Sequence, residues 1–219
     1  MPLAIFDLDN TLLSNDSDYL WGQFLVEQHI VDPQHYEEKN RQFFEDYEKG
    51  TLDYDQYLRF ALEPLTRYPI DQLNTWRKQF VEEMIKPIIA PGTPALIRQH
   101  RNRGDTLMII SATNLFITQP IADLLGVPFI LATEPEIKQG QYTGNYLGIP
   151  TFQQGKVSAL QQWLEKHQQN LNGSTFYSDS HNDLPLLEQV DHPVAVNPDE
   201  TLERVALERC WPILDLRCH

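Results

Sequence analysis

The chain opens with a short apolar stretch that ends in two carboxylates: positions 3–11 read LAIFDLDNT. The run from 3 to 8 is short and largely apolar, which is typical of a β-strand buried on both faces of a sheet. Asp7 lies within this run and Asp9 directly after it. A carboxylate at the end of a buried strand is costly unless it is paired or binds a metal ion. The stretch therefore predicts a parallel sheet that carries a functional carboxylate at its edge.

The same short apolar pattern recurs four times, at residues 106–110, 129–132, 174–177 and 193–196. Helical patterns separate most of these segments. Thr93 is predicted to cap one helix, with Gly104 just past its end, and Asn197 followed by Pro198 predicts another helix start. Alternating strands and helices predict an α/β fold, a Rossmann-like parallel sheet with helices on both faces and right-handed crossovers.

Two stretches interrupt the alternation. Almost a hundred residues separate the first two predicted strands, and residues 15–85 have the pattern of several helices rich in aromatic side chains. Within them, Asp53 and Gln56 resemble a capping box at a helix start. We predict a helical cap domain at 15–85, inserted into a core domain formed by 1–14 and 86–219. Residues 140–150 contain Gly, Asn and Tyr in an order that predicts a hairpin.

Composition narrows the range of functions. The 219 residues are 41% hydrophobic and carry a formal net charge of −14. Because this acidity repels phosphate backbones, we expect no nucleic-acid partner. No apolar run approaches the roughly 20 residues that span a bilayer, and no secretory signal is visible, so we expect no membrane association. Cys210 and Cys218 lack metal-type or redox-type spacing and predict free thiols in a reducing cytoplasm.

Polar side chains follow three of the predicted strands, in segments 7–11, 111–114 and 178–183. The carboxyl ends of parallel strands lie on one edge of a sheet, where ligands bind. Asp7, Asp9 and Asp179 could supply oxygen ligands to Mg²⁺, which prefers one or two carboxylates with waters and a phosphate oxygen. Thr113 and Asn114, taken alone, are better explained as helix caps.

Lys156 is the other notable charge, at the start of a predicted helix. A cation there opposes the helix dipole, by several tenths of a kcal/mol at an exposed site. Two interpretations remain open from the residue alone: a solvent-exposed lysine, or a functional cation at the sheet edge.

Taken together, these segments resemble the motifs of the haloacid dehalogenase superfamily. Residues 7–11 look like its first motif, D-x-D-x-T, and Ser111 after an apolar strand looks like the second. Lys156 fits the third motif, and Asp179 with Asp183 fits the acidic fourth motif, D-x-x-x-D. A helical insertion after the first motif resembles the cap of the phosphoserine-phosphatase-like branch.

The resemblance implies the catalytic and metal roles. Asp7 would be the nucleophile that attacks phosphorus, and Asp9 the general acid and then the general base. Mg²⁺ would be held by Asp7, the backbone carbonyl of Asp9, and Asp179. Thr11 would support these ligands. The implied activity is that of a magnesium-dependent phosphatase with an aspartyl-phosphate intermediate. Asp9 argues against a dehalogenase, because a halide leaves without needing a proton.

The resemblance also implies how phosphate is held. Ser111 and backbone N–H groups near Ala112 would bind the phosphate. Lys156 would neutralise the phosphoryl oxygens and the nucleophile, and Asp183 would orient Lys156. Phosphoryl transfer depends mainly on such positioning and charge neutralisation.

The substrate is predicted from departures within the insertion. Phosphoserine phosphatases carry an Arg for the substrate carboxylate at the position that corresponds to Ala61, and Arg59 is displaced from it along the helix. Asp16 matches the family's carboxylate that meets the substrate amine, and Asp18 lies close by. Asn182 is a further candidate for substrate binding. An alternative for Asp16 and Asp18 is a solvated linker or a helix N-cap.

A protein that can bind a substrate amine but has no partner for a substrate carboxylate favours L-histidinol phosphate as its small phosphorylated substrate, with phosphoserine next. The chain is similar to a bacterial subgroup of the branch that is linked to histidine biosynthesis. Alternatives from other classes are a non-catalytic phosphate-binding module and a phosphotransferase. We expect a monomer or a homodimer.

Overall fold

A computed structural model describes residues 1–218, except for the side chains of His35 and Glu48. Its strands, in chain order, are β1 (Leu3–Phe6), β2 (Thr106–Ile110), β3 (Phe129–Leu131), β4 (Glu134–Lys138), β5 (Gln141–Leu147), β6 (Thr175–Ser178), β7 (His192–Val196) and β8 (Ile213–Leu214). A parallel sheet has the order β3-β2-β1-β6-β7-β8, and β4 pairs with β5 in a separate antiparallel hairpin. The predicted α/β fold with a parallel sheet is confirmed.

The helices, in chain order, are α1 (Ser17–Glu27), α2 (Pro33–Glu48), α3 (Tyr54–Leu62), α4 (Ile70–Phe80), α5 (Thr93–Arg103), α6 (Leu115–Leu125), α7 (Gln154–His167), α8 (Leu184–Leu187) and α9 (Glu200–Glu208). Shorter helical turns follow α3 at Glu63–Arg67 and α4 at Val81–Ile85 and Lys86–Ile88, and another precedes α8 at His181–Asp183. None of the helices described is long and apolar enough to cross a membrane.

The five predicted strands are all present, with ends that differ by at most two residues from the predicted positions. Strand β8 was not predicted, because its two residues are both exposed and carry no alternating or buried pattern. The hairpin was predicted only in its second half. Strand β4 is mostly exposed and charged, and the chain reverses at Gln139 and Gly140, both with positive φ.

Helix ends were predicted with mixed success. Gly104 follows α5 in the left-handed conformation, as expected. The Thr93 cap was wrong: Gly92 is the N-cap, and the Thr93 hydroxyl donates to the Leu12 carbonyl at 2.7 Å instead. The Asn197 cap was also wrong. Asp199 caps α9, because the Asn197 amide is engaged by the C-terminal segment, 2.6 Å from Asp215.

Residues 15–85, called the cap below, contain α1 to α4 and pack against the sheet domain. The two chain connections run side by side, with Ser14 N donating to the Ile88 carbonyl at 2.7 Å. Trp21 of α1 packs edge-on against Phe116 of α6, with ring centroids 5.6 Å apart. The β4–β5 hairpin also contacts the cap, where Gln141 Nε2 donates to the Thr66 carbonyl at 3.1 Å. The cap therefore lies over the carboxyl edge of the sheet.

Candidate active site

The polar segments that follow β1, β2 and β6 meet at one edge of the sheet. Strand β1 lies between β2 and β6, and the order of the chain reverses at this point. In open α/β sheets this is where ligands bind. Asp7 continues β1 by one residue, and its N–H donates to the Tyr177 carbonyl at 2.9 Å. The strand pairing thus holds Asp7 at the edge.

Asp7 is buried against a buried cation. Lys156 Nζ lies 2.7 Å from Asp7 Oδ1 and 2.8 Å from the Asp183 carboxylate, and the Lys156 side chain is only 3% exposed. The interpretation of Lys156 as an exposed lysine was therefore wrong. Burial raises the pKa of Asp7 to about 7, although the Lys156 ammonium acts in the opposite direction. Burial lowers the pKa of Lys156, but Asp183 and Asp7 outweigh it and the net pKa is raised, so the amine stays charged.

The Asp9 carboxylate points to the other side of the site, towards the cap. It accepts hydrogen bonds from Ser17 N at 2.6 Å and Thr113 Oγ1 at 2.8 Å, with Ser111 Oγ 3.4 Å away. Burial raises the pKa of Asp9, while the bonds from Ser17 and Thr113 oppose the shift. A raised pKa brings a carboxyl closer to the range in which it can act as a general acid. Thr113 therefore contacts Asp9, and the interpretation of Thr113 as a helix cap was wrong.

The geometry for a metal ion involves Asp7 and Asp179. The Thr11 hydroxyl donates to Asp179 Oδ1 at 2.9 Å and lies 3.4 Å from Asp7 Oδ2, so it sits between the two carboxylates. Burial, followed by the charge of Asp7, raises the pKa of Asp179 well above its usual range. A cation here would offset this repulsion, and two carboxylates with a backbone carbonyl fit the preferences of Mg²⁺.

The side chain of Asp9 does not join these two carboxylates. Among the side chains that the structure describes, no three His, Cys, Asp or Glu residues are arranged to hold a metal ion together. The arrangement implied by the resemblance, in which Asp9 contributes its backbone carbonyl, needs only two carboxylates. Metal binding at this position stays a prediction.

A cavity separates the sheet edge from the cap. The core contributes Asp7, Asp9 and residues 111–113 to its lining. The cap contributes mainly aromatic rings: Tyr19, Phe43, Phe44, Tyr47, Tyr54 and Tyr57. The lining contributed by the described residues contains four Asp side chains and no Lys, Arg or His. Such walls suit a cationic or aromatic leaving group and disfavour an anionic one.

Asp16 and Asp18 supply the acidic part of the cap wall. Asp16 is the N-cap of α1 and accepts from Tyr19 N at 2.7 Å, so the helix-cap interpretation is confirmed, and its side chain also lines the cavity. Asp18 is 7% exposed and accepts a hydrogen bond from the Tyr57 hydroxyl. Burial raises the pKa of Asp18 to about 7, and the Tyr57 bond opposes the shift. Among the described side chains, Asp18 forms no ion pair with a Lys, Arg or His.

Asn182, Ala61 and Arg59, which also entered the prediction of the substrate, do not line the cavity. Asn182 is buried, accepts from Gln153 Nε2 at 2.9 Å and lies 3.4 Å from the Tyr47 carbonyl, so it bridges the core and α2. Ala61 is buried in α3, and Arg59 pairs on the surface with Asp55 at 3.0 Å. Neither position therefore provides a cation to this cavity. Sequence reasoning missed Tyr54 and Tyr57, because an aromatic stripe on a helix usually signals only core packing.

The fold and these residues define a haloacid dehalogenase-like hydrolase. Residues 4–188 match the model of that family, and the chain belongs to it. It is a phosphoric monoester hydrolase. The chain is 46% identical over 219 residues to the histidinol-phosphatase of Neisseria meningitidis serogroup C, covering 98% of this chain and 99% of that one.

The chain is also similar to two further proteins. A phosphoserine phosphatase of Mycobacterium tuberculosis is 31% identical, over 98% of this chain and 70% of its own length. A crystal structure of a protein of unknown function from Bordetella pertussis Tohama I superimposes with a TM-score of 0.92 at 40% identity, covering 98% of both chains.

Proposed function

We propose that this chain is a Mg²⁺-dependent phosphatase that hydrolyses L-histidinol phosphate through an aspartyl-phosphate on Asp7. The observation that carries the choice of substrate is the cap side of the cavity. Its wall combines Asp16 and Asp18 with aromatic rings and holds no basic side chain among the described residues. A leaving group with an ammonium and an imidazole matches this wall, because both can be positive or donate hydrogen bonds.

The residues at the sheet edge support the proposed chemistry. An Asp7 oxygen attacks phosphorus while the bond to the leaving oxygen breaks, and Asp9 transfers its proton to that oxygen. Asp9 then takes a proton from the water that attacks the aspartyl-phosphate, which releases phosphate and restores Asp7. Lys156, 2.7 Å from Asp7, neutralises charge that builds up on the phosphoryl oxygens. Mg²⁺, when bound by Asp7, Asp179 and the Asp9 carbonyl, would supply further neutralisation of the phosphate.

Phosphoserine is the second candidate, because a relative with 31% identity is named for that activity. Its leaving group carries a carboxylate as well as an ammonium. In this cavity the carboxylate would face four aspartates, and Arg59 is turned to the surface beside Asp55. Leaving a buried charge without a partner costs on the order of a few kcal/mol, enough for about a hundredfold preference between substrates.

The test is kcat/KM with Mg²⁺ for three substrates: histidinol phosphate, phosphoserine and a generic aryl phosphate. We expect histidinol phosphate to exceed phosphoserine by about a hundredfold. If phosphoserine is the best substrate, the proposed choice of substrate is wrong. If phosphate appears on an added acceptor alcohol instead of on water, the chain is a phosphotransferase.

A further inference from the structure

Tyr54, the first residue of α3, connects the cap directly to the loop at the end of β2. Its hydroxyl donates to the Ala112 carbonyl and lies 3.2 Å from Thr133 Oγ1. Its ring stacks on Phe152 of the core, with centroids 4.7 Å apart and planes at 17°. Burial raises the pKa of Tyr54, so the group stays a neutral hydroxyl. Tyr54 is thus a cap residue that is hydrogen-bonded to the backbone of the core.

The same loop is held from the core side by buried hydroxyl groups. Thr151 Oγ1 donates to the Ser111 carbonyl at 2.7 Å, and Thr151 N donates to Thr133 Oγ1 at 3.1 Å. Thr133, Thr151 and Ser111 are all buried. Two successive carbonyls, of Ser111 and Ala112, therefore each accept a hydrogen bond from a side-chain hydroxyl. One partner is in the core, and the other is Tyr54 in the cap.

Holding these carbonyls also sets the directions of the N–H groups that follow them. A peptide bond is planar and trans, so the N–H of the next residue points in the direction opposite to the carbonyl. The Ser111 carbonyl thereby orients the N–H of Ala112, and the Ala112 carbonyl orients the N–H of Thr113. Thr113 N donates to Ser111 Oγ at 3.1 Å, and Ser111 Oγ lies 3.4 Å from Asp9.

We propose that Tyr54 is a positioning residue through which the seated cap orients the phosphate-binding loop, residues 111–113, and with it the Asp9 carboxyl. The inference rests on the proposed roles of that loop and of Asp9 in the hydrolysis. Donors that are oriented before the reaction stabilise the charge of the transition state most strongly. Tyr54 therefore makes the chemical step depend on closure of the cap over the substrate.

A second tyrosine hydroxyl joins the hairpin to the cap without contacting this loop. Tyr146 of the hairpin lies 3.4 Å from Asp55 on the outer surface of the cap. This contact also joins the hairpin and the cap through a tyrosine hydroxyl, but it ends at an exposed side chain. Tyr146→Phe is therefore the matched control for Tyr54→Phe, because each variant removes one hydroxyl and keeps the ring.

The experiment compares the full chain with Tyr54→Phe and Tyr146→Phe, all in Mg²⁺. It measures kcat and KM for an aryl phosphate and for histidinol phosphate, and the Kd of inorganic phosphate by calorimetry. For Tyr54→Phe we expect kcat to fall about tenfold on both substrates and the phosphate Kd to rise by a similar factor, as for one hydrogen bond. Tyr146→Phe should leave all values within twofold. Thermal midpoints confirm that each variant is folded.

A purely structural role for Tyr54 gives a different result. If Tyr54→Phe raises only KM, with kcat and the phosphate Kd within twofold of wild type, Tyr54 merely anchors the cap and the inference is overturned. A wild-type chain that binds phosphate but hydrolyses neither ester would refute the proposed function. The phosphate Kd of Tyr54→Phe would still decide the role of Tyr54, because its measurement needs no turnover.

Discussion

The substitution Asp18→Asn tests how the cavity recognises its leaving group. Asn has nearly the same shape and can still accept the hydrogen bond from Tyr57, so the contact between α1 and α3 is kept while the charge is removed. Asp18 is only 7% exposed, so water screens its interactions little. A hydrogen bond to a charged group contributes about 1.5–3 kcal/mol, which corresponds to about 10- to 150-fold in kcat/KM. We expect a loss of this size for histidinol phosphate.

The assay measures kcat/KM of wild type and Asp18→Asn on histidinol phosphate and on an aryl phosphate that has no ammonium. The aryl phosphate should change by less than threefold. Asp55→Asn is the matched control, since Asp55 lies on the same cap but pairs with Arg59 at the surface. Equal losses on both substrates, or no loss on either, would refute recognition of a cation by Asp18.

Further outcomes follow from the same geometry. Asp16→Asn keeps a good N-cap residue for α1 and should slow histidinol phosphate alone, whereas equal slowing of all substrates in the kinetic assay would make Asp16 structural. Asp7→Asn should lower phosphate release by more than a thousandfold with an unchanged circular dichroism spectrum, and activity within tenfold of wild type would contradict the nucleophile. Exhaustive chelation should abolish turnover, Mg²⁺ should restore it, and Ca²⁺ should inhibit because its looser coordination disturbs the in-line geometry. Lys156→Met leaves buried Asp7 and Asp183 without a cation, so calorimetry should show a loss of about 3–5 kcal/mol, and no change in the thermal midpoint would count against the buried pair.

Local sequence was sufficient for five strands of the parallel sheet, though not for β8, and for the edge at which the polar segments meet. The strands were predicted because their apolar runs are short and buried on both faces, a pattern that needs no knowledge of the partners. Asp7, Ser111 and Asp179 were brought together by a general property of parallel sheets, whose carboxyl ends lie on one edge. The resemblance to a known family then assigned a role to each of these residues.

Prediction failed where the local pattern was weak or was overridden by a distant contact. Strand β4 reads EPEIK and is mostly exposed, so it lacks the alternation that marks a half-buried strand. Asn197 and Pro198 carry the signal of a helix start, but Asn197 instead binds Asp215 of the C-terminal segment, and the helix begins at Glu200. These elements depend on contacts between distant segments, which no window of sequence contains.

Only the tertiary structure decided the electrostatics of the site and the shape of the cavity. Lys156 has the local pattern of an exposed lysine, yet it is buried because packing of α7 places it between Asp7 and Asp183, 149 and 27 residues away along the chain. Tyr54 and Tyr57 share a helix with ordinary core residues. Docking of the cap brings the Tyr54 hydroxyl to Ala112, and packing of α3 against α1 within the cap brings the Tyr57 hydroxyl to Asp18. Residue types and strand order determine which chemistry is present. Tertiary packing, both within the core and between the cap and the core, determines which groups meet, because burial and pairing are properties of contacts between distant parts of the chain.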